Sequence, residues 1–130
     1  MNTITMKNLH LATEQEVFNQ AARHLLTQIK KSIHIDYGCQ YRLELNDGTV
    51  LKCAVGCFIA DNEYNWIIEG EIYGSKDFRE FFGFEDSPHL NLLRSLQRLH
   101  DIYSVDVWKE RLEQIATDFN LNADVLKEFN

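Results

Sequence analysis

Apolar positions along this chain repeat on two periods, near four over most of its length and two in one short stretch. Val17, Ala21, Leu25, Ile29 and Ile33 recur every four residues, and Phe18, Ala22 and Leu26 widen the stripe. That is the signature of a helix burying one face. Ahead of it, Thr13-Glu14-Gln15-Glu16 has the form of a capping box, in which Thr13 accepts from an amide three residues on while Glu16 reaches back. Lys30 and Lys31 fall where cations favour the helix dipole, so the spacing predicts a helix over 14–32.

Asp36-Tyr37-Gly38 reads as a turn, after which Tyr41–Leu45 and Thr49–Cys53 alternate at period two around Asn46-Asp47-Gly48. A two-residue turn would mix polar and apolar side chains on both faces. A three-residue loop with Gly48 left-handed pairs Leu45 with Thr49, Leu43 with Leu51 and Tyr41 with Cys53. It leaves Arg42, Glu44, Val50 and Lys52 on the opposite face, so this register is preferred. A lone hairpin is marginal in water and must pack on a helix, here the first.

Beyond the hairpin, Ala54–Ala60 is uniformly apolar and reads as a short helix, and 61–74 reads as a loop with a brief turn or strand at Trp66–Ile68. Ser75 caps a two-turn helix through Phe82, ended by Gly83, with Phe84 folded back toward Phe78. Ser87-Pro88 signals another start, followed by Leu92, Leu93, Leu96, Leu99 and Tyr103 on one face. Ser104 opens a further helix with Val107, Trp108, Leu112, Ile115, Ala116 and Phe119 inward, Tyr103 and Trp108 being spaced as a hydrophobic staple. Asn122 starts a short final helix, stapled by Leu121 and Leu126. The fold class is therefore α+β: a mostly helical single domain over 1–130, with a small antiparallel β-hairpin packed on the first helix and residues 1–11 disordered or loosely attached.

Length and composition narrow the function. A chain of 130 residues, 45% hydrophobic and 25% charged, has ordinary globular make-up. It buries roughly two-thirds of its extended surface. No apolar run reaches the ~18–20 residues of a membrane helix, and Met1–Ala12 has no secretory-signal pattern. The expectation is a cytoplasmic protein with no membrane partner. The net charge of −7 repels polyanions and the longest basic run is Lys30-Lys31, so no direct nucleic-acid binding is expected. Much of the imbalance sits in 61–86, where Lys76 and Arg79 face Asp61, Glu63, Glu69, Glu71, Asp77, Glu80, Glu85 and Asp86.

Three cysteines, Cys39, Cys53 and Cys57, cannot all pair within one chain and read as free thiols, mainly small buried hydrophobes. Cys53 and Cys57 are spaced within the range of zinc ligands. With Cys39 and one of His34, His89 or His100 they make a candidate metal set. Cys57 and His100 form a candidate thiol–imidazole pair for a small cysteine-dependent enzyme, although Asp101 beside His100 is expected to point elsewhere around its helix. Zincin, phosphate-loop, dinucleotide and nucleophile-elbow motifs are absent from the sequence, and no cofactor is expected. Glu69 and Glu71 would share a face in an extended segment, but they read as exposed loop acids rather than a catalytic pair.

The acidic stretch points more readily to binding. It holds seven of the fifteen aromatics, Tyr64, Trp66, Tyr73, Phe78, Phe81, Phe82 and Phe84. Aromatics supply contact area, and surrounding carboxylates steer a basic partner. The phenylalanines are assigned mostly to the core. The candidate interface is Tyr64 and Trp66 with Asp61, Glu63, Glu69 and Glu71 as its rim. Candidate partners are a basic protein surface, a nucleic-acid-binding protein, or a second copy of this chain.

Cys39-Gln-Tyr-Arg42, Lys52-Cys-Ala-Val-Gly-Cys-Phe-Ile-Ala-Asp-Asn-Glu-Tyr64, Glu69-Gly70 and Leu96-Gln-Arg-Leu-His-Asp101 together resemble an uncharacterised family of small bacterial and phage proteins. Ala60 stands where similar members often have proline. The resemblance covers about 13–119. It implies a phage or mobile-element origin, interference with a host protein, and a structural role for the regions around Cys39, Cys53 and Cys57 and around Arg42, Asp61 and Tyr64.

Overall fold

The computed structural model describes residues 3–129. Helix α1 (Glu14–Gln28) begins at the capping box read from the sequence: Thr13 Oγ1 accepts from Glu16 N at 3.1 Å, and Thr13 N donates to Glu16 Oε1 at 2.9 Å. It stops four residues short of the predicted end because Ile29 takes a left-handed conformation, φ 43°. The chain then turns into a hairpin the periodicity did not reveal, β1 (Ile33–His34) with β2 (Gly38–Cys39), closed across the Asp36-Tyr37-Gly38 turn. Ile33 lies on that edge strand, not on the helix.

Strands β3 (Arg42–Glu44) and β4 (Val50–Lys52) pair in the preferred register, Leu43 opposite Leu51, with Leu45 N donating to Thr49 O across a loop in which Gly48 has φ 90°. Tyr41, Leu51 and Cys53 are buried on one side. The hairpin is fastened to α1 by side chains gripping the backbone of one residue: Gln28 Oε1 accepts from Lys52 N, while Gln28 Nε2 and His24 Nε2 both donate to Lys52 O.

Ala54–Ala60 contributes a single 3-10 turn, Gly56–Phe58, where Gly56 lies against the Tyr41 backbone; a Cβ there would meet the Tyr41 carbonyl oxygen at 2.0 Å. Trp66–Ile68 forms another 3-10 turn, capped by Asn65. Helix α2 (Lys76–Phe82) starts at the Ser75 cap and ends at left-handed Gly83, with Phe84 N donating to Arg79 O. The Phe84 ring nears Phe82, centroids 6.1 Å apart, rather than Phe78.

Helix α3 (Leu90–Ile102) begins later than Ser87-Pro88 suggests. His89 at φ 55° is its N-cap, and the buried Ser87 hydroxyl makes no hydrogen bond among the described residues. Leu92, Leu93, Leu96 and Leu99 are buried as the spacing requires. A 3-10 turn at Val105–Val107 leads into α4 (Trp108–Asp118), whose Trp108, Leu112 and Ala116 are buried, and a final turn spans Asp124–Glu128. Ser104 gives no backbone cap, its hydroxyl going to Asp106 instead.

All of these elements share one core, around Phe18, Phe58, Phe78, Trp108 and the leucines of α3. The described part of the 1–11 segment, expected to be disordered or loosely attached, belongs to it, while Met1 and Asn2 lie outside the described residues. Ile4, Met6 and Leu9 are buried, Gln20 brackets both the amide and carbonyl of Ile4, and Glu63 accepts from the Met6 and Lys7 amides. Three apolar side chains spaced over six residues hold that segment down; their irregular spacing gave no periodic signal. No helix of the described residues is long and apolar enough to cross a membrane.

Candidate functional site

The two hairpins, the 61–74 loop and α3 meet around a polar knot and an aromatic groove. The knot begins at buried Ser32, whose amide donates to His100 Nε2 at 2.9 Å and whose hydroxyl reaches the Gln40 carbonyl at 2.8 Å. His100 is fully buried at the end of α3. Its Nδ1 lies 2.8 Å from Asp101 Oδ1 and 4.0 Å from Cys39 Sγ. Gln97, one turn earlier, donates from Nε2 to both Asp101 Oδ1 and Cys39 Sγ, and its Oε1 accepts from Val55 N. Cys39, Gln97 and Asp101 line a small cavity of about 180 Å³ with Tyr41, Glu71 and Tyr73.

Cysteine, histidine and aspartate within 4.8 Å of one another invite two chemical readings, a nucleophilic thiol and a metal site. The hydrogen bonds decide against both. A backbone amide can only donate, so Nε2 must be the unprotonated ring nitrogen and Nδ1 carries the hydrogen, given to Asp101. An Nδ1 already protonated cannot take a proton from Cys39. A metal on Nδ1 would push the ring proton to Nε2, head-on against the Ser32 N–H. Burial lowers the imidazole pKa, and the Asp101 and Cys39 contacts together outweigh it in the upward direction. The Ser32 amide nevertheless keeps the ring neutral, because a second ring proton would oppose its N–H.

The thiols agree with this reading. Contact with Cys53 and burial push the Cys39 thiol far up, the reverse of what a nucleophile requires. Burial likewise pushes Cys57 up, and its Sγ donates to Ala54 O rather than engaging His100. Cys53 is fully buried, with its sulfur accepting from Gly56 N. The predicted Cys57–His100 pair is therefore replaced by Cys39 beside His100. Asp101, expected to point away, folds back onto the preceding ring. His34 and His89 do not join them: His34 Nδ1 accepts from the Asp36 and Tyr37 amides, and His89 caps α3.

The groove adjoins this knot across Gly70. Its volume is about 520 Å³ and its walls are Tyr37, Gln40, Tyr64, Trp66, Glu69 and Gly70. Trp66 and Tyr37 are each 77% exposed, whereas Tyr64 is half-buried. The walls are held from behind. Tyr37 stacks on His34 with centroids 4.6 Å apart, and Tyr64 OH donates to Glu69 Oε2 at 2.7 Å. The Arg42 guanidinium lies 5.8 Å from the Tyr64 ring centroid.

Each acid of the predicted rim is tied to other parts of the fold, and one of them also lines the groove. Asp61 bonds to Arg42 and Lys52, which hold its carboxyl below the usual range. Glu63 fastens the N-terminal segment and also accepts from Ala60 N. Glu71 accepts from Ser75 Oγ, and its backbone carbonyl accepts from Tyr41 OH. Only Glu69 lines the groove itself, accepting from Tyr41 N, Arg42 N and Tyr64 OH. The sequence reading missed Tyr37 and Gln40, which come from the unforeseen hairpin. A large aromatic in the centre of a turn was the available signal.

Comparison with protein-family models, curated proteins and solved structures finds no match to this chain. Residues of the Cys39–Arg42, Lys52–Tyr64 and Leu96–Asp101 stretches converge in space. Arg42 pairs with Asp61 and covers Tyr64, Gly56 abuts Tyr41, and Cys39 lies beside His100 and Gln97.

Proposed function

We propose that this protein acts by binding a macromolecular partner, a basic protein surface, through the groove walled by Tyr37, Tyr64 and Trp66. The observation that carries the reading is two large aromatic side chains, each about three-quarters exposed, facing one groove, with Tyr37 stacked on His34. Ile35, Ile67 and Ile72 add to the exposed apolar surface around them, Ile35 at 95%. Side chains of this size left in water in such concentration are typical of interaction sites. The net charge of −7 favours a basic partner over a nucleic acid. Asp61, Glu63 and Glu71 serve the fold in this reading, and Glu69 is the acid that faces the partner. A phage or mobile-element origin, with a host protein as target, accords with the resemblance.

The test is retrieval of partners from the native host, followed by reconstitution from purified components with wild type and a Tyr37→Ala/Trp66→Ala double variant. Both changes are at exposed side chains, so melting should be unaltered. Affinity is expected to fall at least about tenfold. Equal affinity of a folded double variant for the purified partner would remove the groove from the interface. Light scattering over a concentration series separates a second copy of the chain from a different partner.

A further inference from the structure

The chemistry of the groove walls specifies more than a sticky surface. Three aromatic side chains, one carboxylate, one amide and a glycine enclose it, and no cationic side chain lines it. Glu69 has about four acceptor positions on its two oxygens. Three are filled, by Tyr41 N on Oε1 and by Arg42 N and Tyr64 OH on Oε2, which leaves one on Oε1. Gln40 Nε2 is turned to the Tyr37 and Cys39 carbonyls, so its Oε1 is the amide atom left to accept. The Glu69 carboxylate and the Gln40 amide oxygen therefore face the groove as acceptors, and the rest of its side-chain surface is aromatic, with neutral donors only at the Trp66 indole N–H and the Tyr37 hydroxyl. An anion would meet the Glu69 carboxylate with no cationic side chain in the lining to offset it, and a neutral apolar group would desolvate that carboxylate without replacing its water. A cation meets aromatic faces and a negative charge together.

The chain supplies its own precedent, since Arg42 already places its guanidinium over Tyr64. That internal charge is matched by Asp61 at 3.3 Å and Glu44 at 3.5 Å, so it does not make the groove positive.

We infer that the groove is a cation cage, holding the ammonium or guanidinium head of one basic side chain among Trp66, Tyr37 and Tyr64 and against Glu69. This rests on the proposed interface and names the group the partner inserts there.

Proton NMR of the full chain tests it, with the Trp66 indole as reporter and buried Trp108 as internal control. The probes are choline, its neutral carbon isostere 3,3-dimethylbutan-1-ol, and the capped amides of lysine and arginine. Cations are expected to shift Trp66 saturably and leave Trp108 unmoved, the isostere binding at least about tenfold more weakly. Tyr37→Ala should abolish the Trp66 shift and Tyr37→Phe should restore part of it, while Trp66→Ala, which removes the reporter, should abolish the line broadening of the choline methyl signal that wild type produces. The lysine and arginine amides separate the two head groups, and choline reports whether a methylated ammonium fits better than either. Equal binding of choline and its isostere, or no saturable cation shift, overturns the cage. If a purified partner still needs Tyr37 and Trp66 in that case, the interface stands and only the cage fails. If partner binding is also indifferent to both residues, both readings fall.

Discussion

Replacing His100 tests the buried knot, because each ring nitrogen has a separate task. Nε2 is the acceptor for the Ser32 amide and Nδ1 the donor to Asp101. Ser32 and His100 are both fully buried, whereas the Asp101 carboxylate is reached by water. Losing the Nε2 acceptor thus strands a buried N–H, at about 1–3 kcal/mol, while losing the Nδ1 donor lets water replace the bond at little cost. His100→Phe fills the ring's volume but removes both functions and should cost about 2 kcal/mol. His100→Ala adds a cavity beneath Trp108, whose ring centroid is 5.7 Å away, for a total of roughly 3–5 kcal/mol. His100→Gln places an amide oxygen near the Nε2 position, and His100→Asn near the Nδ1 position. Gln should therefore recover stability over Phe, and Asn should not. Urea denaturation of the four variants gives the ranking, and nitrogen NMR of the wild-type imidazole gives the tautomer. An Asn variant more stable than the Gln variant, or a ring protonated at Nε2, would refute the tautomer argument and reopen the metal and thiol readings.

Other changes read different parts of the molecule. Gly56→Ala should cost about 3 kcal/mol in urea denaturation, because the new Cβ meets the Tyr41 carbonyl at 2.0 Å. Gly48→Ala, left-handed but in open space, should cost only about 1 kcal/mol. Ile29 is a β-branched residue at φ 43° and 58% exposed, so Ile29→Gly should raise stability by about 1 kcal/mol and increase the melting temperature. Burial depresses the His24 imidazole pKa, outweighing the Lys52 carbonyl that favours its charge. The unfolded chain then binds that proton more readily, so the His24 contribution is complete above about pH 6.5 and declines as pH falls below it. Subtracting the pH–stability curve of His24→Gln from that of wild type should isolate this decline, and a difference curve rising toward acid would contradict it.

How far the sequence could be read differs from element to element. The Thr13 box and the β3–β4 register were legible because each depends on residues within one or two turns of chain, and only one arrangement keeps the hydrophobic face whole. The end of α1 was not. The four-residue stripe runs on through Ile29 and Ile33, yet the helix stops at a residue that disfavours the stop. Docking of Gln28 on the Lys52 backbone fixes the helix end to the hairpin, a tertiary contact with no local signature. Ser87-Pro88 has the local form of a helix start, but the helix begins two residues later, with left-handed His89 at the N-cap position and no side-chain cap bond.

Local order determined the class of this protein: which faces are apolar, where α1 and α2 begin, how one hairpin turns, and that its middle stretch is acidic and aromatic. Tertiary structure decided what those residues do. It put Cys39 rather than Cys57 beside His100, turned Asp101 back to the ring, bound Asp61 and Glu63 into the fold, and brought Tyr37 across from Trp66 to make a groove. Periodicity records burial relative to a residue's own element, so it carries no information about which distant donor occupies a given acceptor. That pairing separates a reactive histidine from a structural one and a free carboxylate from a bound one, and only the folded chain fixes it.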